Sequence, residues 1–380
     1  MNMDPGMAAA LGVAFLFGTF IGSFLNVCIH RLPRNLSVVH PPSRCGACGT
    51  AIPWHDNLPV IGWLLLRGRC RACGTQFSPR YLFAELICGG LTAAAVGWYF
   101  SRPLMVSGTA WDLWLIGGGL AAVLALVWWL AVCSIIDLDH TIIPDELTKS
   151  WQVAAPFLAM VAGTNLAIEE SSLPLQWGAR QDVFGNTIVQ ADHLLAWMAG
   201  LGLGAVLLLL GSLPLARRIY SPYGWTEDDH RGFAVGVRWF AVAVVLHTAA
   251  ALGAVAWWGV TAWTVTLCQA VLGSLVGWFS LYLVGFLGTL AFRRNAMGFG
   301  DVKFLAPIGA FVGPLGVVYL FFVASVIGAV VGIPRRLLGG SREIPFGPFL
   351  ALGTIIVLIF GGWIHAHFFG RLAGLYAPIN

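Results

Sequence analysis

Apolar runs long enough to cross a hydrocarbon core recur along the whole chain and constrain its fold more than any other feature. They fall at about 7–29, 82–100, 113–136, 151–168, 193–213, 239–258, 263–291, 304–333 and 348–369. The charged residues crowd between them: 58% of the 380 residues are hydrophobic and only 10% charged, where soluble domains have about a quarter charged. In hydrocarbon the backbone has no water to bond, so spanning segments satisfy their own hydrogen bonds. The expected fold is an all-α polytopic membrane protein, a bundle of about 8–10 transmembrane helices. A soluble enzyme is excluded. The net charge of +4 is small; the lipid bilayer is the expected surrounding and nucleic acid is not an expected partner.

Residues 1–6 have no basic n-region, so 7–29 reads as a retained helix and not a cleaved signal peptide. Asn26, near its end, is expected to hydrogen-bond a neighbouring helix. Residues 30–81 carry Arg31, Arg34, Arg44, Arg67, Arg69, Arg71 and Arg80, which places this loop in the cytoplasm by the positive-inside rule. The loops at 101–112 and 169–192 then lie outside, the second holding Glu169, Glu170, Asp182 and Asp192 against Arg180. Residues 214–238, with Arg217, Arg218, Arg231 and Arg238, read as a cytoplasmic loop in which Glu227-Asp228-Asp229 is a solvated face. Gly313-Pro314 interrupts 304–333, which reads as a helical hairpin of short or broken helices.

Four of the eight cysteines are paired by spacing, Cys45 with Cys48 and Cys70 with Cys73, and a glycine follows each pair at Gly49 and Gly74. Two such knuckles suit a tetrahedral zinc ion bound by four thiolates. Four protein ligands leave no open position, so the site reads as structural, folding a small loop domain that has little core of its own. Cys28, Cys88, Cys133 and Cys268 lie singly in apolar runs and read as small buried hydrophobes.

Two acidic stretches remain. Asp137 directly follows the apolar run 113–136, and Asp301 is framed by glycines in Gly298-Phe299-Gly300-Asp301-Val302-Lys303. A charge at membrane depth costs roughly 2.5–3.5 kcal/mol on insertion scales, so such a group is a functional hypothesis. Gly298 and Gly300 allow the backbone to leave helical geometry or to approach another chain closely. Two close carboxylates do not both ionise easily. One takes a proton from an attacking water while the other donates to the oxyanion or leaving amine. Asp139 would point elsewhere on a helix, and Asp145, after Pro144, reads as a cap for the next helix. Lys303 either keeps a carboxylate ionised, binds a substrate carboxylate, or snorkels to the interface. A proton-coupled transporter with intramembrane carboxylates is the alternative; an inactive membrane scaffold is a third reading, which intact aspartates oppose.

In order along the chain, Gly22-Ser23-Phe24-Leu25-Asn26-Val27 through His30-Arg31-Leu32-Pro33, the cysteine pairs with Asn57-Leu58-Pro59 between them, Tyr81 and Glu85, the 137–145 stretch, the 298–303 stretch and Ile344-Pro345-Phe346-Gly347-Pro348-Phe349 together resemble the type IV prepilin peptidases. The resemblance implies a multi-pass aspartyl protease of the bacterial inner membrane with Asp137 and Asp301 as its catalytic pair facing the cytoplasm. It implies cleavage of the leader from type IV prepilins or type 2 secretion pseudopilins, after a glycine. It also implies N-methylation of the new terminus with S-adenosylmethionine as donor, for which Glu85, Asn57 and the polar 30–81 loop are the candidates. The expected organisation is a first transmembrane helix (1–29), a cytoplasmic four-cysteine zinc domain (30–81) and a membrane peptidase domain (82–380). The last carries more chain between the two aspartates than the family usually has, an apparent insertion at about 165–262.

Overall fold

The computed structural model describes residues 4–101, 110–163, 179–181, 187–189, 191–223, 225–259, 262–294, 297–339 and 345–369. The expected outer loops at 101–112 and 169–192, with Glu169, Glu170 and Asp182, lie largely outside these residues, as does Ile344. Eight helices among the described residues are long and apolar enough to cross a membrane. The chain divides into two compact units, Met1–Pro144 and Asp145–Asn380.

The first unit contains α1 (Pro5–Arg31), the short α2 (Ile61–Leu65), α3 (Arg80–Ser101) and α4 (Ala110–His140). Asp4 caps α1, accepting from the Met7 N–H at 3.3 Å, and Pro5 occupies the first turn where no N–H is needed. Helices in lipid gain little from apolar burial against each other, so small residues that let backbones approach supply the contact. A Cβ on Gly22 of α1 would stand 2.8 Å from the Glu85 Cα of α3, and one on Gly89 of α3 would stand 2.8 Å from Thr19 Cγ2. Asn26 Nδ2 donates to the Tyr81 carbonyl at 3.1 Å, the interhelical bond its position suggested. Trp128 Nε1 of α4 donates to Thr92 Oγ1 of α3 at 2.9 Å. Cys28, Cys88 and Cys133 are buried apolar positions, as read.

The second unit contains α5 (Asp145–Ala162), a hairpin of β1 (Ala179–Gln181) and β2 (Thr187–Val189), then α6 (Ala191–Tyr220), α7 (Glu227–Trp258), α8 (Ala262–Phe292), α9 (Phe299–Leu337) and α10 (Gly347–Ile364). Helix α5 begins with Asp145, Glu146 and Lys149 and is not among the eight candidate spans. It still buries Gln152, Ala155 and Ala159. Helices α8 and α9 meet backbone to backbone: a Cβ on Gly273 would lie 2.0 Å from the Gly309 carbonyl oxygen, and one on Gly309 would lie 2.1 Å from that of Gly273.

Two expectations change. Residues 214–238 are not a loop, because α6 runs to Tyr220 and α7 starts at Glu227. The acidic run is the first turn of α7: Thr226 caps it, accepting from the Asp229 N–H, while Asp229 reaches back to the Thr226 N–H at 2.8 Å. The pattern Thr-x-x-Asp is a capping box, and acidic residues there complement the helix dipole. The second concerns 304–333. The helical run α9 covers 39 residues, about 58 Å if straight, roughly twice the hydrocarbon thickness. It is broken at Gly313, whose φ of 74° departs from the helix just before Pro314. The interruption falls where the sequence put it, but the first piece begins earlier, at Phe299, and contains Asp301.

The α8–α9 contact has no room for a side chain. Gly309→Val is expected to lower stability by about 1–3 kcal/mol, the usual range for overpacking. Gly200→Ala, where a Cβ meets nothing within 4 Å, should be near neutral. Thermal unfolding of both variants in the same detergent is the check.

Candidate functional site

The four cysteines come together. All their sulfur atoms lie within 4.8 Å of one another, and Cys45 Sγ is 3.8 Å from Cys73 Sγ. Ligands of a tetrahedral ion with 2.3 Å bonds sit about 3.8 Å apart, so the donor set fits such an ion. The local cause is one turn used twice. The Cys45 N–H donates to the Thr50 carbonyl and the Gly49 N–H to the Cys45 carbonyl, both at 2.9 Å. Cys70, Thr75 and Gly74 repeat this at the same distances. Gly49 and Gly74 have φ of 70° and 73°, the left-handed region that glycine enters without a Cβ clash. The Thr50 and Thr75 hydroxyls lie 3.2 and 3.3 Å from Cys48 Sγ and Cys73 Sγ. Hydrogen bonding to Thr75 pulls Cys73 down to about 6, and Thr50 lowers Cys48 in the same way. Both therefore favour the thiolate a metal requires.

Asp137 lies in the last turn of α4, 5% exposed. The Thr141 N–H donates to its carbonyl at 2.8 Å, ending the helix. Asp139, two residues on, faces away and pairs with Arg80, as its helical position implied. Glu85, one turn into α3, is buried and accepts from the Val60 N–H at 2.7 Å.

In the second unit Asp301 occupies the first turn of α9, with Gly298 as the N-cap. Gly298 is extended, with φ of −70° and ψ of 137°, and a Cβ there would meet Asp301 Oδ2 at an ordinary 3.8 Å. Two residues on, Lys303 is 8% exposed. Its Nζ donates to Asp145 Oδ1 at 2.5 Å and lies 4.9 Å from the Phe299 ring centre. Lys149 also pairs with Asp145, at 2.8 Å. Gly236 on α7 makes the space: a Cβ there would stand 2.9 Å from Lys303 Cε. Gln152 Nε2 of α5 donates to the Lys303 carbonyl at 3.5 Å.

So Asp145 is more than a cap. It sits inside the first turn of α5 and anchors the lysine of the glycine-framed motif. The sequence carried a usable signal in its Asp145 and Lys149 at i,i+4, but nothing in it paired Asp145 with Lys303. Burial raises the Asp145 carboxyl, and hydrogen bonds from Lys149 and Lys303 outweigh it, leaving the group below the usual carboxylate range.

Residues 16–100 match the model of the bacterial peptidase A24 N-terminal domain. Residues 237–333, which include Gly298 to Lys303, match that of the type IV leader peptidase family. A prepilin leader peptidase/N-methyltransferase of Myxococcus xanthus is 30% identical across 95% of this chain and 93% of its own. A protein of the same name from Stutzerimonas stutzeri is 27% identical over 94% of each chain. The type 4 prepilin-like proteins leader peptide-processing enzyme of Escherichia coli is 26% identical over 92% of this chain and 94% of its own. No solved structure matches significantly.

A carboxyl held below its unfolded value stabilises the fold above that value and loses its contribution as pH falls through the folded one. Stability is therefore expected to drop more steeply below about pH 4 in the wild type than in Asp145→Asn, as measured by thermal unfolding across an acid series. Lys303→Met should remove the same dependence in part, since Lys149 still pairs with Asp145.

Proposed function

Since the chain belongs to the type IV leader peptidase family, we propose that Asp137 and Asp301 together hydrolyse the leader peptide bond of prepilins at the cytoplasmic face of a bacterial membrane. The enzyme is a peptidase with methyltransferase activity, spanning the membrane several times. The observation that carries the reading is end-to-end likeness to prepilin leader peptidase/N-methyltransferases, with the glycine-framed aspartate inside the matched peptidase region.

The chemistry asks two things of the carboxylates. One must be ionised to take a proton from water as it attacks the scissile carbonyl. The other must carry a proton for the oxyanion or departing amine. Asp301 stands in the first turn of a helix, where the dipole favours negative charge, and Asp137 in the last turn of one, where it does not. We assign Asp301 as base and Asp137 as acid on that ground. Hydrolysis then balances: the amide C–N bond breaks, hydroxide adds to carbon, and the amine leaves with the proton from Asp137. Asp137 is reprotonated by the proton that Asp301 took from water. Gly298 at the N-cap and Gly300 in the first turn of α9 leave no side chain beside Asp301 to obstruct an extended substrate. Lys303 holds the first turn of α9 through Asp145.

The substrate is a short basic leader, cut after a glycine and followed by an apolar helix, from a type IV prepilin or a type 2 secretion pseudopilin. The membrane is the inner one. The cysteine quartet holds structural zinc, ligated by Cys45, Cys48, Cys70 and Cys73, which supplies a cross-link to a loop with little core. S-adenosylmethionine is the methyl donor.

Purified protein mixed with a prepilin should yield shortened product, and Asp137→Asn and Asp301→Asn should each lower the rate by on the order of 10²–10⁴-fold. Unchanged cleavage by either variant would remove that residue from the reaction. Elemental analysis should find zinc in the wild type and lose it in Cys45→Ser, with greater protease sensitivity confined to residues 30–81.

A further inference from the structure

A cavity of about 1040 Å³ lies within the first unit. It is walled by the end of α1, the first turns of α3, the turn at 57–63 and the inner sides of both cysteine knuckles. Small-molecule sites are commonly about 300–1,000 Å³, so it is large enough for a nucleoside-sized ligand and part of a second molecule. Neither Asp137 nor Asp139 lines it.

Most of its charged groups are already engaged. Arg31 donates to the carbonyls of Ser37 and Pro41 at 2.9 and 2.7 Å. Arg71 grips both carboxylate oxygens of Asp56, at 2.7 and 2.6 Å. Glu85 is different. It is 8% exposed, and the donors that reach it, the Val60 N–H and the Ser23 hydroxyl, are neutral. No cationic side chain pairs with it among the described residues. A buried carboxylate without a counter-charge is costly, and a ligand cation would relieve it.

Two further observations come from the turn that meets Glu85. Val60, whose N–H Glu85 holds, has φ of 61°. A β-branched residue pays for that conformation, and strain of this kind gathers at binding sites. Trp63, three residues on, has a buried Nε1–H without an acceptor among the described residues. Buried donors are nearly always satisfied in a completed structure.

We propose that this cavity binds the methyl donor, with the Glu85 carboxylate opposite its sulfonium and the Trp63 indole N–H donating to a polar group of the ligand. The proposal rests on the methyltransferase reading above and adds where the donor sits and what selects it. In the transfer, the neutral terminal amine of the processed substrate forms a bond to the methyl carbon as the sulfur–carbon bond breaks. The bonding pair stays on sulfur, leaving a neutral thioether, and the methylated ammonium releases one proton to water. Positive charge passes from sulfur to nitrogen within the pocket, so one carboxylate can face it throughout. The product thioether has lost the charge that Glu85 selects, which favours its release.

Equilibrium dialysis of the full-length protein in lipid nanodiscs, with S-adenosylmethionine and separately with S-adenosylhomocysteine, tests this. Wild type should prefer the cationic donor. Glu85→Gln should weaken the donor by about tenfold or more and the neutral product by much less, erasing the preference. Val27→Trp, which fills the cavity from α1 away from the knuckles, should abolish binding of both. An unchanged preference in Glu85→Gln, or wild-type binding in Val27→Trp, overturns the assignment while leaving the methyltransferase reading intact. A wild type that neither binds the donor nor methylates a cleaved prepilin overturns both.

Discussion

Inside hydrocarbon a backbone N–H has only other backbone groups to meet, and the arrangement of this protein follows from that requirement. Each spanning segment closes its own hydrogen bonds as a helix, which leaves polar chemistry to the places where helices begin, end or break. Asp137 lies in the last turn of α4, Asp301 in the first turn of α9 and Glu85 one turn into α3. Lys303, a turn into α9, is buried where Asp145 and the Phe299 ring receive its charge.

The same solvent weakens the drive that brings helices together. Backbone contact at glycine replaces it. On α1, Gly22 lets the helix lie against α3 at Glu85, and on α7, Gly236 admits the stem of Lys303. These glycines do structural work and also decide which polar side chains end up buried. A bulkier residue at either place would move a charged group as well as a helix.

Outside the bilayer the logic reverses. Residues 35–79 contain only one short helix, α2, and few buried side chains. Two identical turns bring four sulfur atoms together in a segment with little core of its own. The same turns shape the cavity, because both knuckles are among its walls.

Helical class, most span positions and the knuckle pairing were legible in the sequence, because each depends on local composition or spacing. Those signals need no knowledge of which helix touches which. The start of α7 was also local, a Thr226–Asp229 capping box, and was obscured only by the charged residues around it. The Asp145–Lys303 pair, the cradle at Gly236 and the Glu85 bond to a strained Val60 were not legible. Their partners are remote along the chain, and contacts between remote residues are decided by how helices pack, which only the tertiary structure contains.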